Sequence, residues 1–283
     1  MKRGDRIGIV CCSNGLAREN AYKLEILNET LLQIGLLPVF SPYLYGDEAG
    51  FAGTGAERAG ALMGFFRDGS IKGIFDISGG DMANELLPYL DFPVIAAAGK
   101  QLWGYSDLTA ILNAIYARTG SSSVLYQIRN LTYGHSQEQI RAFSASVLEG
   151  RDDLFALHYD FLQGSHMEGV VAGGNIRCLL KLAGTPYWPD MQGKILLLEA
   201  LGGQVPQMVT YLSQLSQMGV FHKINGILLG TFTKMEENGC RPSMPELVRR
   251  FAGSALPIAR TSDIGHDTDA KAIIIGERLK IGD

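Results

Sequence analysis

Ser106 stands where one element gives way to another. In Trp103-Gly104-Tyr105-Ser106-Asp107-Leu108 a short apolar strand runs straight into a helix, with the serine at the corner. Such a turn pushes the side chain outward and aims the next backbone N–H, at a helix N-terminus, into the same space, where it can stabilise an oxyanion. Gly104 supplies the small residue two positions before the serine, whereas Leu108 replaces the second glycine of a GxSxG motif. A plain helix N-cap is the competing role for Ser106. A serine hydroxyl is scarcely nucleophilic at neutral pH, so the chemistry calls for a base. His135, His158, His166 and His222 lie in polar or helical surroundings that surface or capping roles explain. His266 differs, following Ile264-Gly265 in a turn with Asp263, Asp267 and Asp269. It is a candidate base or a solvated turn histidine; a metal site shared with those aspartates lacks a second histidine at ligand spacing. Glu199 closes the run Lys194-Ile195-Leu196-Leu197-Leu198. A carboxylate at the end of a buried strand is costly unless paired, so Glu199 is either part of a site or already in solvent beside Ala200-Leu201-Gly202-Gly203.

The elements that would position these groups follow from periodicity. Strands are expected over 6–12, 36–40, 72–77 and 101–104, alternating with helices over 19–34 and 56–67 and a short helix between Pro93 and Gly99. A βαβ rhythm of this kind implies an α/β fold with a mostly parallel sheet. Another helix follows Ser106, with Leu108, Ile111, Leu112, Ile115 and Tyr116 on one face. Ser136 and Gln139 are spaced as a capping box for a helix ending at Glu149. The rhythm weakens after Gly150, and the linker is placed near Gly164 and Ser165, giving domains 1–160 and 161–283. In the second half strands are expected over 194–198, 224–229, 272–275 and 279–281, with helices over 206–218 and after Ser243.

Composition narrows the classes. With 46% apolar and 19% charged residues in 283, the chain has ample material for a buried core. A net charge of −4 without a basic cluster argues against nucleic acid or an anionic membrane as partner. No apolar run approaches a membrane span and no secretory signal opens the chain, so a cytoplasmic protein is expected. Cys11, Cys12, Cys178 and Cys240 show neither CxxC spacing nor a disulfide framework, and a cysteine hydrolase built on Cys11 or Cys12 conflicts with their place on an apolar strand. A dinucleotide-binding module is disfavoured because the first turn, Cys12-Ser13-Asn14-Gly15, is not GxGxxG. A non-enzymatic small-molecule-binding protein stays open.

Gly104-Tyr105-Ser106-Asp107-Leu108-Thr109-Ala110 resembles the nucleophile segment of the LD-carboxypeptidase family of serine peptidases. Phe51-Ala52-Gly53-Thr54 with Glu57-Arg58, Gly79-Gly80, Gly173-Gly174-Asn175, Gly184-Thr185-Pro186-Tyr187, the strand ending in Glu199, and Gly265-His266 agree in order. The resemblance implies a Rossmann-like or flavodoxin-like N-terminal domain carrying the serine and a smaller, mixed β-rich C-terminal domain. It implies a triad of Ser106, Glu199 and His266 with no metal or cofactor, and an oxyanion hole from the backbone N–H groups of Gly80 and Asp107. It further implies a homodimer acting on a small peptide, with removal of a terminal D-alanine from a murein tetrapeptide as the first expectation. Family members acting on that substrate often carry an Arg-Gly-Gly-Tyr-Gly turn, and here it is Ser78-Gly79-Gly80-Asp81-Met82. That departure is more similar to the microcin-immunity branch, which cleaves peptidyl or aminoacyl nucleotides. Gly79, Asn175 and Arg177 are the candidate substrate contacts, with a helix cap as the competing role for Asn175.

Overall fold

A computed structural model describes residues 1–282 as two sheets with a buried helix between them. Five strands alternate with helices in the first half: β1 (Arg6–Val10), β2 (Leu37–Phe40), β3 (Ile71–Asp76), β4 (Leu102–Gly104) and β5 (Ser123–Leu125). The helices are α1 (Ala21–Ile34), α2 (Gly55–Arg67), α3 (Phe92–Ala98), α4 (Thr109–Thr119) and α5 (Ser136–Glu149). The five strands are parallel in the order β2-β1-β3-β4-β5, the flavodoxin-like arrangement. Its topological switch lies between β1 and β3, so their carboxyl ends frame a crevice.

The second sheet holds β6 (Asp160–Gln163), β7 (His166–Asn175), β8 (Lys194–Ala200), β9 (Gly226–Phe232) and β10 (Ile258–Arg260). Its helices are α6 (Ile176–Leu180), α7 (Val205–Gln217), α8 (Thr233–Glu237) and α9 (Met244–Ala252). Two further strands close the chain, β11 (Ile273–Ile275) and β12 (Arg278–Gly282). Strands β7 to β10 are parallel, while β12 and β6 flank them antiparallel. Strand β11 leaves this unit and pairs antiparallel with β5 at the edge of the first sheet.

Several sequence expectations are corrected. The helix after Ser106 is not amphipathic: Thr109 to Ile115 are all buried, because α4 is sandwiched between the sheets, with Ile111 and Leu112 in one core with Ile74, Val171 and Leu197. Ser136 is not an N-cap; it opens α5, and Gln139 is buried, accepting from the Tyr126 hydroxyl at 2.8 Å and donating to the Ala270 carbonyl at 3.1 Å. The irregular stretch is 150–159, upstream of Gly164 and Ser165, and a cut at 160/161 falls inside β6, which already belongs to the second sheet. Strand β8 runs two residues past Leu198, so Glu199 lies within it. No helix among the described residues is long and apolar enough to cross a membrane.

Candidate active site

Strand β4 delivers Ser106 into a left-handed backbone conformation at φ 53°, the only non-glycine residue in that region among those described. A side chain there costs on the order of 1–2 kcal/mol, tolerated only where the surroundings over-determine it. Those surroundings centre on Asp107. Its buried carboxylate accepts from the Ser13 hydroxyl at 2.6 Å and the Ala83 N–H at 2.8 Å, and pairs with Lys181 at the end of α6. The residue after the serine is thereby fastened to the first strand's loop, the glycine turn and the second unit at once.

The turn opposite the serine has its own scaffold. Asp76, ending β3, accepts from the Cys12 N–H and from the Ser78 N–H and hydroxyl, each at 2.6 Å. Burial raises its carboxyl above the ordinary carboxylate range, against the pull of those donors. Fully buried Arg58 donates to the carbonyls of Cys12 at 2.8 Å and Ser13 at 3.1 Å and pairs with Glu85. Gly80 sits at φ 130°, and a Cβ there would fall 2.0 Å from Asn14 Oδ1, so only glycine fits. That same oxygen accepts the Asp81 N–H at 2.8 Å.

The second unit supplies the partners. His266 Nε2 lies 3.1 Å from Ser106 Oγ. On the far side of the ring, Nδ1 is 2.8 Å from Glu199 Oε2, a close contact whose geometry falls short of a linear hydrogen bond. Glu199 is wholly buried, which removes the solvent-exposed reading left open by the sequence. The β8–β9 ladder slips between Leu198 and Ala200, with the extra residue on β9, so that Gly230 and Thr231 together stand opposite Glu199. Room for it comes from Gly230 on β9, where a Cβ would meet the Ile264 carbonyl at 2.3 Å and Glu199 Cβ at 3.1 Å. The neighbouring Thr231 N–H donates to that carbonyl at 2.8 Å, clipping the His266 loop to β9. The Tyr105 ring, its centroid 4.5 Å away, packs on the imidazole.

Ser106, His266, Gly79, Gly80 and Tyr105 face one cleft of about 240 Å³, together with Gln127, Arg129, Asn130 and Tyr133. A larger hollow of about 740 Å³ beside α1, lined by Glu25, Asn28, Glu29 and Tyr45, holds no nucleophile–base pair. Asn175 and Arg177 are not in the cleft wall. Asn175 caps α6 through the Cys178 N–H at 3.3 Å, and its own N–H donates to Thr109 Oγ1 at 3.0 Å. Arg177 pairs with Asp81 and donates to the Gly80 carbonyl at 3.0 Å, so it holds the glycine turn. Sequence reasoning missed Asp76, Lys181 and Arg129. Asp76 carried the signal that singled out Glu199, an acid closing an apolar strand; the other two carried none, since a short helix and a turn place them. Burial, then Asp76, pushes the Cys11 thiol up to about 12 and the Cys12 thiol well above its ordinary value, which disfavours a thiolate at either.

Comparison with known proteins agrees along the chain. A model of the LD-carboxypeptidase N-terminal domain matches residues 7–126, and one of the LD-carboxypeptidase C-terminal domain matches 168–281. The murein tetrapeptide carboxypeptidase of Pseudomonas aeruginosa is 26% identical over 288 residues, 94% of this chain and 93% of that protein. The microcin self-immunity protein MccF of Escherichia coli is 27% identical over 264 residues, 81% of this chain and 76% of that one. Among solved structures, an MccF-like protein from Bacillus anthracis superposes with a TM-score of 0.88 at 25% identity, covering 100% of this chain and 95% of its own. MccF in complex with aspartyl sulfamoyl adenosine superposes at 0.87 with 23% identity, covering 100% and 94%.

Proposed function

Since this chain belongs to the LD-carboxypeptidase family, we propose that it is a serine peptidase that removes the terminal D-alanine from a murein tetrapeptide, with Ser106, His266 and Glu199 as its triad. Ser106 Oγ attacks the scissile carbonyl while His266 Nε2 takes its proton, and the charge that develops on the carbonyl oxygen is met by the N–H groups of Gly80 and Asp107. The imidazolium returns that proton to the departing amine, leaving an acyl-enzyme. A water activated by the same ring then releases Ser106. Glu199 fixes the imidazole tautomer and offsets its positive charge. The observation that carries this reading is the run of contacts from Ser106 Oγ through both ring nitrogens to a buried carboxylate, 3.1 and 2.8 Å. Gly79 is assigned to the substrate, Arg177 to the support of the turn and Asn175 to the cap of α6.

A second reading has one departure in its favour. The glycine turn lacks the arginine and tyrosine common in murein-directed relatives, and Asp81 stands there, held by Arg177. An amidase of the microcin-immunity type, cleaving aminoacyl nucleotides, uses the same triad. Parallel assays with a murein tetrapeptide and an aminoacyl-sulfamoyl adenylate separate the two readings. Ser106→Ala should lower turnover of the true substrate by about 10⁴ or more. A folded Ser106→Ala protein with near-wild-type turnover would sink both.

A further inference from the structure

Arg129 belongs to the short helix Ile128–Thr132 that follows β5. Its guanidinium stands over the Tyr133 ring at 5.9 Å, and its backbone N–H donates to Gln127 Oε1 at 3.2 Å. The side-chain Nε is buried without an acceptor. The other cations around the glycine turn are neutralised, Arg58 by Glu85, Arg177 by Asp81 and Lys181 by Asp107. Arg129 has no such partner among the described residues. A partly desolvated guanidinium without an anion is costly, and its planar fork matches a carboxylate.

Position decides which carboxylate. Arg129 and Gly79 line both the Ser106 cleft and an adjoining hollow of about 180 Å³ bounded by Cys11, Asn14 and Leu16. On the opposite flank, His266, Asp267 and Thr268 are shared with a hollow that Asp263 and Asp269 also line. Burial, then Asp269, raises the Asp267 carboxyl above its ordinary range, and while Asp263 is paired with Lys271 at 3.4 Å, Asp267 and Asp269 have no cation partner among the described residues. An anionic substrate end placed there would meet like charge; placed beyond Gly79 it meets Arg129.

We propose that Arg129 binds the free C-terminal carboxylate of the substrate, with the residue to be released seated beyond Gly79 and the remaining peptide leaving past His266. This rests on the peptidase reading above. It makes Arg129 the residue that restricts the enzyme to the end of a chain.

Two substrates test it: a murein tetrapeptide ending in D-alanine, and the same peptide as its C-terminal amide. The wild type is expected to favour the acid by about 10- to 100-fold in kcat/KM, expressed mainly in KM, as one charge-assisted contact implies. Arg129→Ala should erase that preference by slowing hydrolysis of the acid, and Arg129→Lys, which keeps the charge without the fork, should restore part of it. A preference that survives Arg129→Ala, or an equal loss on both peptides, overturns the assignment. So does hydrolysis of neither peptide by a wild type whose Ser106 reacts with a fluorophosphonate. Failure of Ser106 to react at all refutes the peptidase reading instead.

Discussion

At the scale of single residues, the site depends on backbone conformation as much as on side-chain identity. Ser106 occupies φ 53°, which any L side chain adopts at a cost. Ser106→Ala removes the hydroxyl and keeps that strain, whereas Ser106→Gly removes both. Although glycine also loosens the unfolded chain, Ser106→Gly should exceed Ser106→Ala in stability by about 1 kcal/mol. Denaturant melts of the two variants decide it, and coincident midpoints would mean the corner is unstrained. Glu199 illustrates a different dependence. Its carboxylate is wholly buried, which is costly for an acid, and the polar partner that stands 2.8 Å from it is the imidazole.

At the scale of elements, β9 is the template for a loop it does not contain. Gly230 and Thr231 bring the Ile264 carbonyl against the strand, and His266 follows two residues later. Gly230→Ala would place a methyl 2.3 Å from that carbonyl, so the loop must retreat and His266 with it. The expected result is a fall in kcat of about a hundredfold with less effect on KM, since a 1 Å misplacement costs that much. Unchanged kcat in the folded variant would show that the loop is positioned by something else. Much of this was legible beforehand. The strand–helix alternation, the corner serine and the acid near the end of β8 all follow from local pattern. What pattern could not supply was environment: α4 has apolar residues at helical spacing, yet its polar Thr109 and Asn113 are also buried. Asn113 exchanges hydrogen bonds at 2.8 Å with both the N–H and the carbonyl of Gly173 in β7, a partner 60 positions away. Ser136 and Gln139 had capping spacing, but α5 begins at Ser136 itself and Gln139 is claimed by Tyr126 and Ala270, and Arg129 stood out only once folding placed it beside Ser106.

At the scale of the whole molecule, the chain is cross-braced. Strand β11 returns from beyond His266 to pair with β5, and Ile273 and Ile275 join a core that also holds Leu102 and Leu125. Residues 1–160 produced alone therefore lack an edge strand and part of that core. They are expected to associate through β5 or to melt without cooperativity, which sedimentation and thermal melts would reveal. A monodisperse fragment with a sharp transition would refute the brace. The segment between β10 and β11 thus leaves one sheet, presents His266 to Ser106, and enters the other. The 3.1 Å gap between Ser106 Oγ and His266 Nε2 consequently works as a gauge of how the two halves sit. For inhibitor design, this means the serine need not be the target. Loosening the seam of α4 and β7, where Asn113 clasps Gly173, would open that gauge and silence the proposed activity by leverage.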